Sequence, residues 1–223
     1  MDPALEFREA RKAFAALDPA PFRALAQGSV FAQYAADPDF PALVTTSRYK
    51  IILNSHAPFA QLYPSKAVGE KTAAGSLVHV LAIPVEPIYN AASLEAKEHT
   101  HLVGEMAEGI REFMRNPVLR AKAVAQVRST IERFPEYPAW KAVFEEMARV
   151  FQGYDYTEPD DVELSFHVHP SHSVPYLHMH GVQANLRTNK KLDYKNTPVH
   201  VVLDVLEGEL VDELLKECNV YNL

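Results

Sequence analysis

Hydrophobic and polar residues alternate most regularly in two segments of the C-terminal half of the chain. Across residues 162–169, every second position holds Val, Leu, Phe or Val, and the positions between them hold Glu, Ser, His and His. Residues 175–182 alternate in the same way, with Leu177 and Met179 on one side. A period of two predicts β-strands that each bury one face. We expect the two strands to form a hairpin across the turn at 170–173.

Signals elsewhere in the chain predict an α+β fold, in which an antiparallel sheet of about five strands has helices packed on one face. Asp-Pro at residue 2, Asp-Pro at residue 18 and Asn-Pro at residue 116 each place a capping side chain before a proline, which is typical of a helix start. The helices are expected within the first forty residues, at 94–113 with Ser93 as the cap, at 117–134, at 138–151 and from 206 onward. Besides the hairpin, strands are expected at 49–53, 78–84 and 199–203.

The composition is that of an ordinary globular protein, with 48% hydrophobic and 23% charged residues. The single cysteine, Cys218, cannot form an internal disulfide, which favours a reducing compartment, and we expect the cytoplasm. No apolar run approaches the roughly 20 residues that a membrane span needs, so no membrane partner is expected. The net charge of -7 argues against general nucleic-acid binding.

Histidine is the unusual feature of this composition, because five of the ten histidines fall between His167 and His180. Alternation places one tyrosine and four histidines on the polar face of the predicted hairpin. Neighbouring imidazoles on a strand suit three roles: neutral metal ligands, a nucleophile and acid at a phosphorus centre, or a solvated sheet face. His99 and His101 lie in a predicted helix, and we expect both at the surface. The residues on the polar face are His167, His169, Tyr176, His178 and His180.

The segment 172–182 (HSVPYLHMHGV) resembles the signature of the histidine-triad (HIT) superfamily, with Tyr176 where the family has its first histidine. Upstream, Asn54 after an apolar strand, the stretch 79–88 (HVLAIPVEPI) and the helix start near Ser93 resemble the first half of the HIT core, especially in the fragile-histidine-triad branch. The Pro-Ser pair at 170–171 resembles the scavenger mRNA-decapping branch.

The resemblance implies one elaborated domain. Its HIT-like core is formed by residues 49–113 and 162–205. A helical extension at 1–42, a helical insertion at 116–151 and a C-terminal helix with its tail at 206–223 are added to that core.

The resemblance also implies a chemistry and a set of site residues. His178 takes the position of a nucleophile that attacks the α-phosphorus of a nucleotide derivative and forms a nucleotidyl-histidine, without a metal or another cofactor. A nucleotide or dinucleotide is the expected partner, and a homodimer is expected because HIT relatives often form one. The remaining residues are His180 and Ser173 beside the phosphate, Tyr176 at the first triad position, Asn54 at the ribose and His79 at the edge of the pocket. His167 and His169 are also expected to bind substrate, but three placements stay open for them: the leaving-group side, a metal site, or neither.

Two other function classes stay open at this stage. The first is a nucleotide-binding module that lost its chemistry when tyrosine replaced the first triad histidine, because tyrosine cannot become an imidazolium. The second is a metal-dependent enzyme that uses His167, His169, His178 and His180 as ligands. Enzymes of that kind usually add a carboxylate nearby, whereas the nearest polar residue after His180 is Gln183, a poor ligand.

Overall fold

The computed structural model describes residues 2–54, 78–170, 174–184 and 196–220. Within these ranges the chain forms seven helices and six strands, so the predicted α+β class is confirmed. Two segments lie outside the described residues: the long loop that the sequence predicts from Asn54 to about residue 76, apart from Asn54 itself, and a basic stretch that contains Arg187, Lys190, Lys191 and Lys195. None of the helices in the described ranges is long and apolar enough to cross a membrane.

Three short helices open the chain: α1 (Pro3–Ala15), α2 (Pro19–Gln27) and α3 (Val30–Ala36). The side chains of Asp2 and Asp18 accept hydrogen bonds from the backbone two residues on, as the Asp-Pro pairs predict.

The six strands form one sheet in which every neighbouring pair is antiparallel, in the order β1-β2-β3-β5-β4-β6. The predicted hairpin is confirmed, because β4 and β5 are adjacent and Ser165 lies opposite His180. The strands are β1 (Val44–Thr45), β2 (Tyr49–Leu53), β3 (His79–Pro84), β4 (Val162–His167), β5 (Met179–Gln183) and β6 (Asn196–Pro198).

Three longer helices connect the two halves of the sheet: α4 (Ala96–Arg115), α5 (Pro117–Ile131) and α6 (Tyr137–Gly153). Asn116 caps α5 as predicted, since its side chain accepts hydrogen bonds from two backbone amides of the first turn. The prediction that Ser93 caps α4 is wrong. The Ser93 hydroxyl closes a short 3-10 turn by donating to the carbonyl of Asn90 at 2.7 Å, and α4 begins three residues later.

The last helix, α7 (Val199–Val220), replaces the strand that the β-branched residues 199–203 predicted. Val199, Val202 and Leu206 recur at intervals of three and four residues, and all three are buried. That spacing matches one face of a helix, and the face packs on α1 and α4. Burial of these side chains therefore outweighs the strand preference of valine, which is strongly dependent on context.

The two faces of the sheet differ in chemistry, because residues paired across antiparallel strands point to the same side. The apolar face is formed by Ile51, Val80, Ala82, Leu164, Phe166, Met179 and Gly181. The histidine face is formed by Lys50, His79, Leu81, Ser165, His167 and His180.

Helix α4 lies on the apolar face and approaches it closely at Gly181. A Cβ atom at this position would come within 2.5 Å of the Ile110 side chain. The close approach of α4 explains why glycine occupies the position.

Helices lie on both faces of the sheet, whereas the sequence predicted them on one. On the histidine face, the buried Lys50 ammonium donates to the backbone carbonyls of Tyr34 and Asp37 at the end of α3. A cation at a helix C-terminus is favourable because the helix dipole is negative there. This contact holds α3 over β2 and β3.

Candidate functional site

Four imidazoles gather on the histidine face, and we call His79, His167, His178 and His180 the histidine cluster. His79 begins β3, His167 ends β4, and His180 lies on β5, so the central strands place three of them side by side. His178 precedes β5 by one residue and lies two residues before His180, which puts it on the same face. The prediction that the hairpin presents histidines on one face is confirmed for these positions.

The four rings are close together and buried, each with at most 9% of its surface exposed. The ring centroids of His167 and His178 lie 4.3 Å and 4.8 Å from that of His180. On its other side, His180 Nδ1 lies 2.8 Å from His79 Nε2, and one of these two nitrogens donates a hydrogen bond to the other. His180 is therefore the centre of the cluster.

A backbone carbonyl fixes the orientation of the His178 ring. His178 Nδ1 lies 2.7 Å from the carbonyl oxygen of Tyr176, which can only accept, so Nδ1 carries the proton and donates it. In the neutral ring, Nε2 then holds the lone pair, which is the form that either a nucleophile or a metal ligand requires. The Phe31 ring lies 5.2 Å from the His178 ring and is nearly perpendicular to it.

Burial keeps His180 neutral. Its pKa is well below the ordinary value of 6.5, first because burial removes water from the charged form and then because His178, His79 and His167 would repel a second positive charge. In the described part of the chain, His180 Nε2 is buried without a hydrogen-bond partner. A ligand oxygen or a metal ion would satisfy this atom, depending on which nitrogen carries the proton.

Three of the cluster residues have the geometry of a metal site. One nitrogen from each of His167, His178 and His180 lies within 4.8 Å of the others. Three nitrogens around a tetrahedral Zn²⁺ lie about 3.3 Å apart, so a small contraction of the three rings would suit the ion. Gln183 takes no part in this set, since it points to the apolar face and accepts a hydrogen bond from the Tyr156 hydroxyl at 2.8 Å.

The hydroxyl of Tyr176 has a structural role. The oxygen donates to the carbonyl of Pro84 at 2.8 Å, and burial raises the pKa of this phenol above its usual value of 10.0. The side chain thus ties the segment before β5 to the end of β3, and the backbone carbonyl of the same residue holds His178. Tyr176 is therefore a positioning residue for His178.

The other predicted site residues lie apart from the cluster or outside the described ranges. His169 lies against the Phe14 and Phe22 rings of the N-terminal helices, with centroid distances of 5.9 Å, and its Nδ1 is 3.4 Å from the Tyr89 hydroxyl. Asn54 lines a cavity of about 340 Å³ against α5, and its backbone N–H donates to the backbone carbonyl of His79 at 2.8 Å. Ser173 lies outside the described residues.

Sequence reasoning missed two residues of interest. Phe31 covers His178 from α3, and nothing in the local pattern of a short capped helix indicates which distant ring it will contact. His99 was expected at the surface, but it is 5% exposed and its Nδ1 accepts a hydrogen bond from the Glu95 amide at 2.8 Å. His99 lies four residues after Glu95 and accepts a hydrogen bond from an amide at the start of α4. Because the first amides of a helix need acceptors, helix-capping rules could have predicted this contact.

Comparison of this sequence with known protein families, with curated proteins and with solved structures finds no match. The histidine cluster must therefore be interpreted from its own geometry and from the resemblance of its sequence motif.

Proposed function

We propose that this protein is a HIT-like nucleotide hydrolase or nucleotidyl transferase whose nucleophile is His178. The observation that carries the proposal is the hydrogen bond from His178 Nδ1 to the Tyr176 carbonyl, because it places the lone pair on Nε2 before any substrate arrives. The neutral His180 beside it supports the proposal, because a positive charge next to His178 Nε2 would make that lone pair a weaker nucleophile.

The proposed reaction has two displacement steps. His178 Nε2 forms a bond to the α-phosphorus of a nucleotide derivative, while the bond from phosphorus to the leaving group breaks and the leaving group keeps the electron pair. Water, or another hydroxyl acceptor, then attacks the phosphorus, the bond from phosphorus to Nε2 breaks with its electron pair returning to Nε2, and the attacking hydroxyl loses its proton to solvent. His180 Nε2–H is the donor for a phosphate oxygen, which requires His180 Nδ1 to accept from His79 Nε2–H.

Intact mass spectrometry tests the covalent step directly. The protein is mixed briefly with a panel that contains a diadenosine polyphosphate and an adenosine phosphoramidate, and the mass of the chain is measured. We expect a nucleotidyl adduct on the wild type and on His200→Ala, an exposed control on α7, but not on His178→Ala. Nucleotide binding without adduct or turnover across the panel would instead assign a binding module that lacks the chemistry.

A metal-dependent enzyme is the second candidate, and the convergence of His167, His178 and His180 nitrogens favours it. While His180 Nδ1 keeps its hydrogen bond to His79 Nε2, a metal can bind His180 only at Nε2, so Nδ1–H must be the donor in that bond. The two candidates thus require opposite directions for one hydrogen bond. Nitrogen-15 NMR of the imidazoles reports which nitrogen of His180 is protonated and separates the candidates without a substrate.

The variant His167→Ala separates the two candidates by a different route. It removes one of three metal ligands but leaves the nucleophile and its carbonyl anchor in place. Under the nucleotidyl mechanism we expect His167→Ala to form the adduct, and metal analysis of the purified wild type to find no stoichiometric ion. One bound ion per chain that is lost in His167→Ala would favour the metal enzyme.

A further inference from the structure

A second cavity lies between the N-terminal helices and the segment that follows β3, and we call it the N-terminal pocket. Its volume is about 490 Å³, within the range typical of small-molecule sites. It is lined by residues of α1 and α2, by residues 86–95 and by His99 and Glu209. No member of the histidine cluster is among its described lining residues, so it is separate from the candidate site above.

Aromatic rings form the apolar wall of the N-terminal pocket. Phe14, Phe22 and Tyr89 contact one another with centroid distances of 4.9 to 5.6 Å. Phe14 and Tyr89 are buried, whereas Phe22 is half-buried. Such a group of rings offers an apolar aromatic surface against which the ring of a ligand can pack.

His99 lines the same cavity and holds a buried hydrogen-bond donor. Because His99 Nδ1 accepts from the Glu95 amide, the neutral ring must carry its proton on Nε2. This Nε2 is buried and has no hydrogen-bond partner in the described residues, and the nearest carboxylate oxygen, on Glu86, is 3.7 Å away. An unsatisfied buried donor is costly, so an acceptor atom supplied by a ligand would stabilise it.

The charges around the pocket are divided between its two sides. Arg11 is already satisfied, since it donates to both carboxylate oxygens of Glu209 and to the Leu94 carbonyl. Arg8, Lys12 and Arg23 are exposed and form no ion pair within the described ranges, so α1 and α2 present three available cations. Glu86 and Glu95 line the cavity from the segment that follows β3, and their carboxylates suit ligand donors such as hydroxyl or amino groups.

We propose that the N-terminal pocket binds a small planar anion. Its ring stacks on the wall of Phe14, Phe22 and Tyr89, an acceptor atom takes the proton of His99 Nε2, and its anionic group lies among the side chains of Arg8, Lys12 and Arg23. A nucleoside monophosphate and an aromatic carboxylate both have this chemistry. Binding here does not depend on the reaction proposed at His178.

Isothermal titration calorimetry with four probes tests the proposal: AMP, indole-3-acetate, adenosine and inorganic phosphate. The two probes that combine a ring with an anion represent the two sources, and the other two lack one half of the chemistry. We expect at least one of AMP and indole-3-acetate to bind, and adenosine and phosphate to bind at least about tenfold more weakly.

Variants locate the bound probe. The double variant Lys12→Glu/Arg23→Glu changes exposed side chains only, and Lys141→Glu on α6 is the matched control for charge reversal. We expect the double variant to weaken binding at least about tenfold, and Lys141→Glu to leave it unchanged. Phe22→Leu keeps the apolar volume but removes the ring, and we expect about threefold weaker binding.

The proposal requires the expected results with both the probes and the variants. It is overturned if neither ring-bearing anion binds at millimolar concentration, if charge reversal leaves the affinity unchanged, or if His178→Ala abolishes binding. The last result would place the probe at the histidine cluster instead. Thermal unfolding followed by circular dichroism confirms that each variant is folded before it is titrated.

Discussion

The two faces of the central sheet are both buried, yet different interactions hold them in place. On the apolar face, Phe166 and Met179 pack beneath α4, where stability follows from the apolar area removed from water. On the histidine face, the central ring of His180 is positioned by a hydrogen bond to His79, and His178 by a backbone carbonyl. The first face tolerates little change in volume, whereas the second depends on which nitrogens carry protons. The same sheet therefore combines a rigid scaffold with a set of protonation-sensitive groups.

The largest effect is expected from a cavity on the apolar face. Phe166→Ala removes a fully buried ring between β4 and α4, and we expect the free energy of unfolding to fall by about 3–5 kcal/mol. Phe134→Ala, at a ring that is 41% exposed, is the control and should cost much less. Urea unfolding measures both. Equal losses for the two variants would contradict the assignment of Phe166 to the core.

Overpacking the same face is expected to have the next largest effect. Gly181→Ala adds a methyl group 2.5 Å from the Ile110 side chain, and we expect a loss of about 1–3 kcal/mol. Gly208→Ala in α7 adds the same methyl group where no atom lies within 4 Å, and it should stabilise the helix by about 1 kcal/mol. Denaturant unfolding measures the change in the free energy of unfolding for both variants. Changes of opposite sign would show that the close approach of α4, and not a general effect of replacing glycine by alanine, decides the outcome at Gly181.

The histidine face should make stability depend on pH. The unfolded chain takes up a proton on His180 near pH 6.5, whereas the folded chain resists it because the pKa is lowered. The stability that depends on a neutral His180 is therefore fully present above pH 6.5. As the pH falls below 6.5, the free energy of unfolding decreases by up to about 1.4 kcal/mol per pH unit.

Unfolding experiments between pH 7.5 and 4.5 on the wild type, His180→Gln and His101→Gln measure this contribution. We expect a shallower decline for His180→Gln than for the wild type. His101 is exposed, so His101→Gln should follow the wild type. Parallel curves for all three proteins would show that His180 is not the group responsible.

The smallest effect is expected at Tyr176. Tyr176→Phe removes the hydrogen bond to the Pro84 carbonyl and should cost about 1 kcal/mol, measured from the urea midpoint. Because the backbone carbonyl that holds His178 is unchanged, we expect adduct formation to persist at a similar rate. Loss of the adduct in a stable Tyr176→Phe protein would give the hydroxyl a direct part in the chemistry.

Local sequence rules predicted the elements whose signals are contained in a few residues. The caps at Asp2, Asp18 and Asn116 and the alternation of the β4 and β5 segments needed no knowledge of the rest of the chain. The same alternation predicted that His167, His178 and His180 share a face. Their metal-like spacing could not be predicted, since it depends on the register between strands that are eleven or more residues apart.

Two predictions failed where a distant contact competes with a local preference, and a third failed because a local contact was overlooked. The β-branched run at 199–203 becomes helical because α1 and α4 offer it a surface to bury. His169 continues the alternation of β4 in the sequence but lies against Phe14 and Phe22, because the strand ends at His167. His99 is buried because its ring satisfies an amide at the start of α4.

The sequence by itself therefore determined the helix starts, the hairpin and the presence of several histidines on one sheet face, because these follow from side-chain chemistry and backbone periods of 2 and 3.6 residues. Only the tertiary structure decided that His79 contacts His180, that the Tyr176 hydroxyl donates a hydrogen bond to the end of β3, and that the N-terminal helices line a second pocket. These features depend on strand register and helix docking, which are set by burial and hydrogen bonding between residues far apart in the chain.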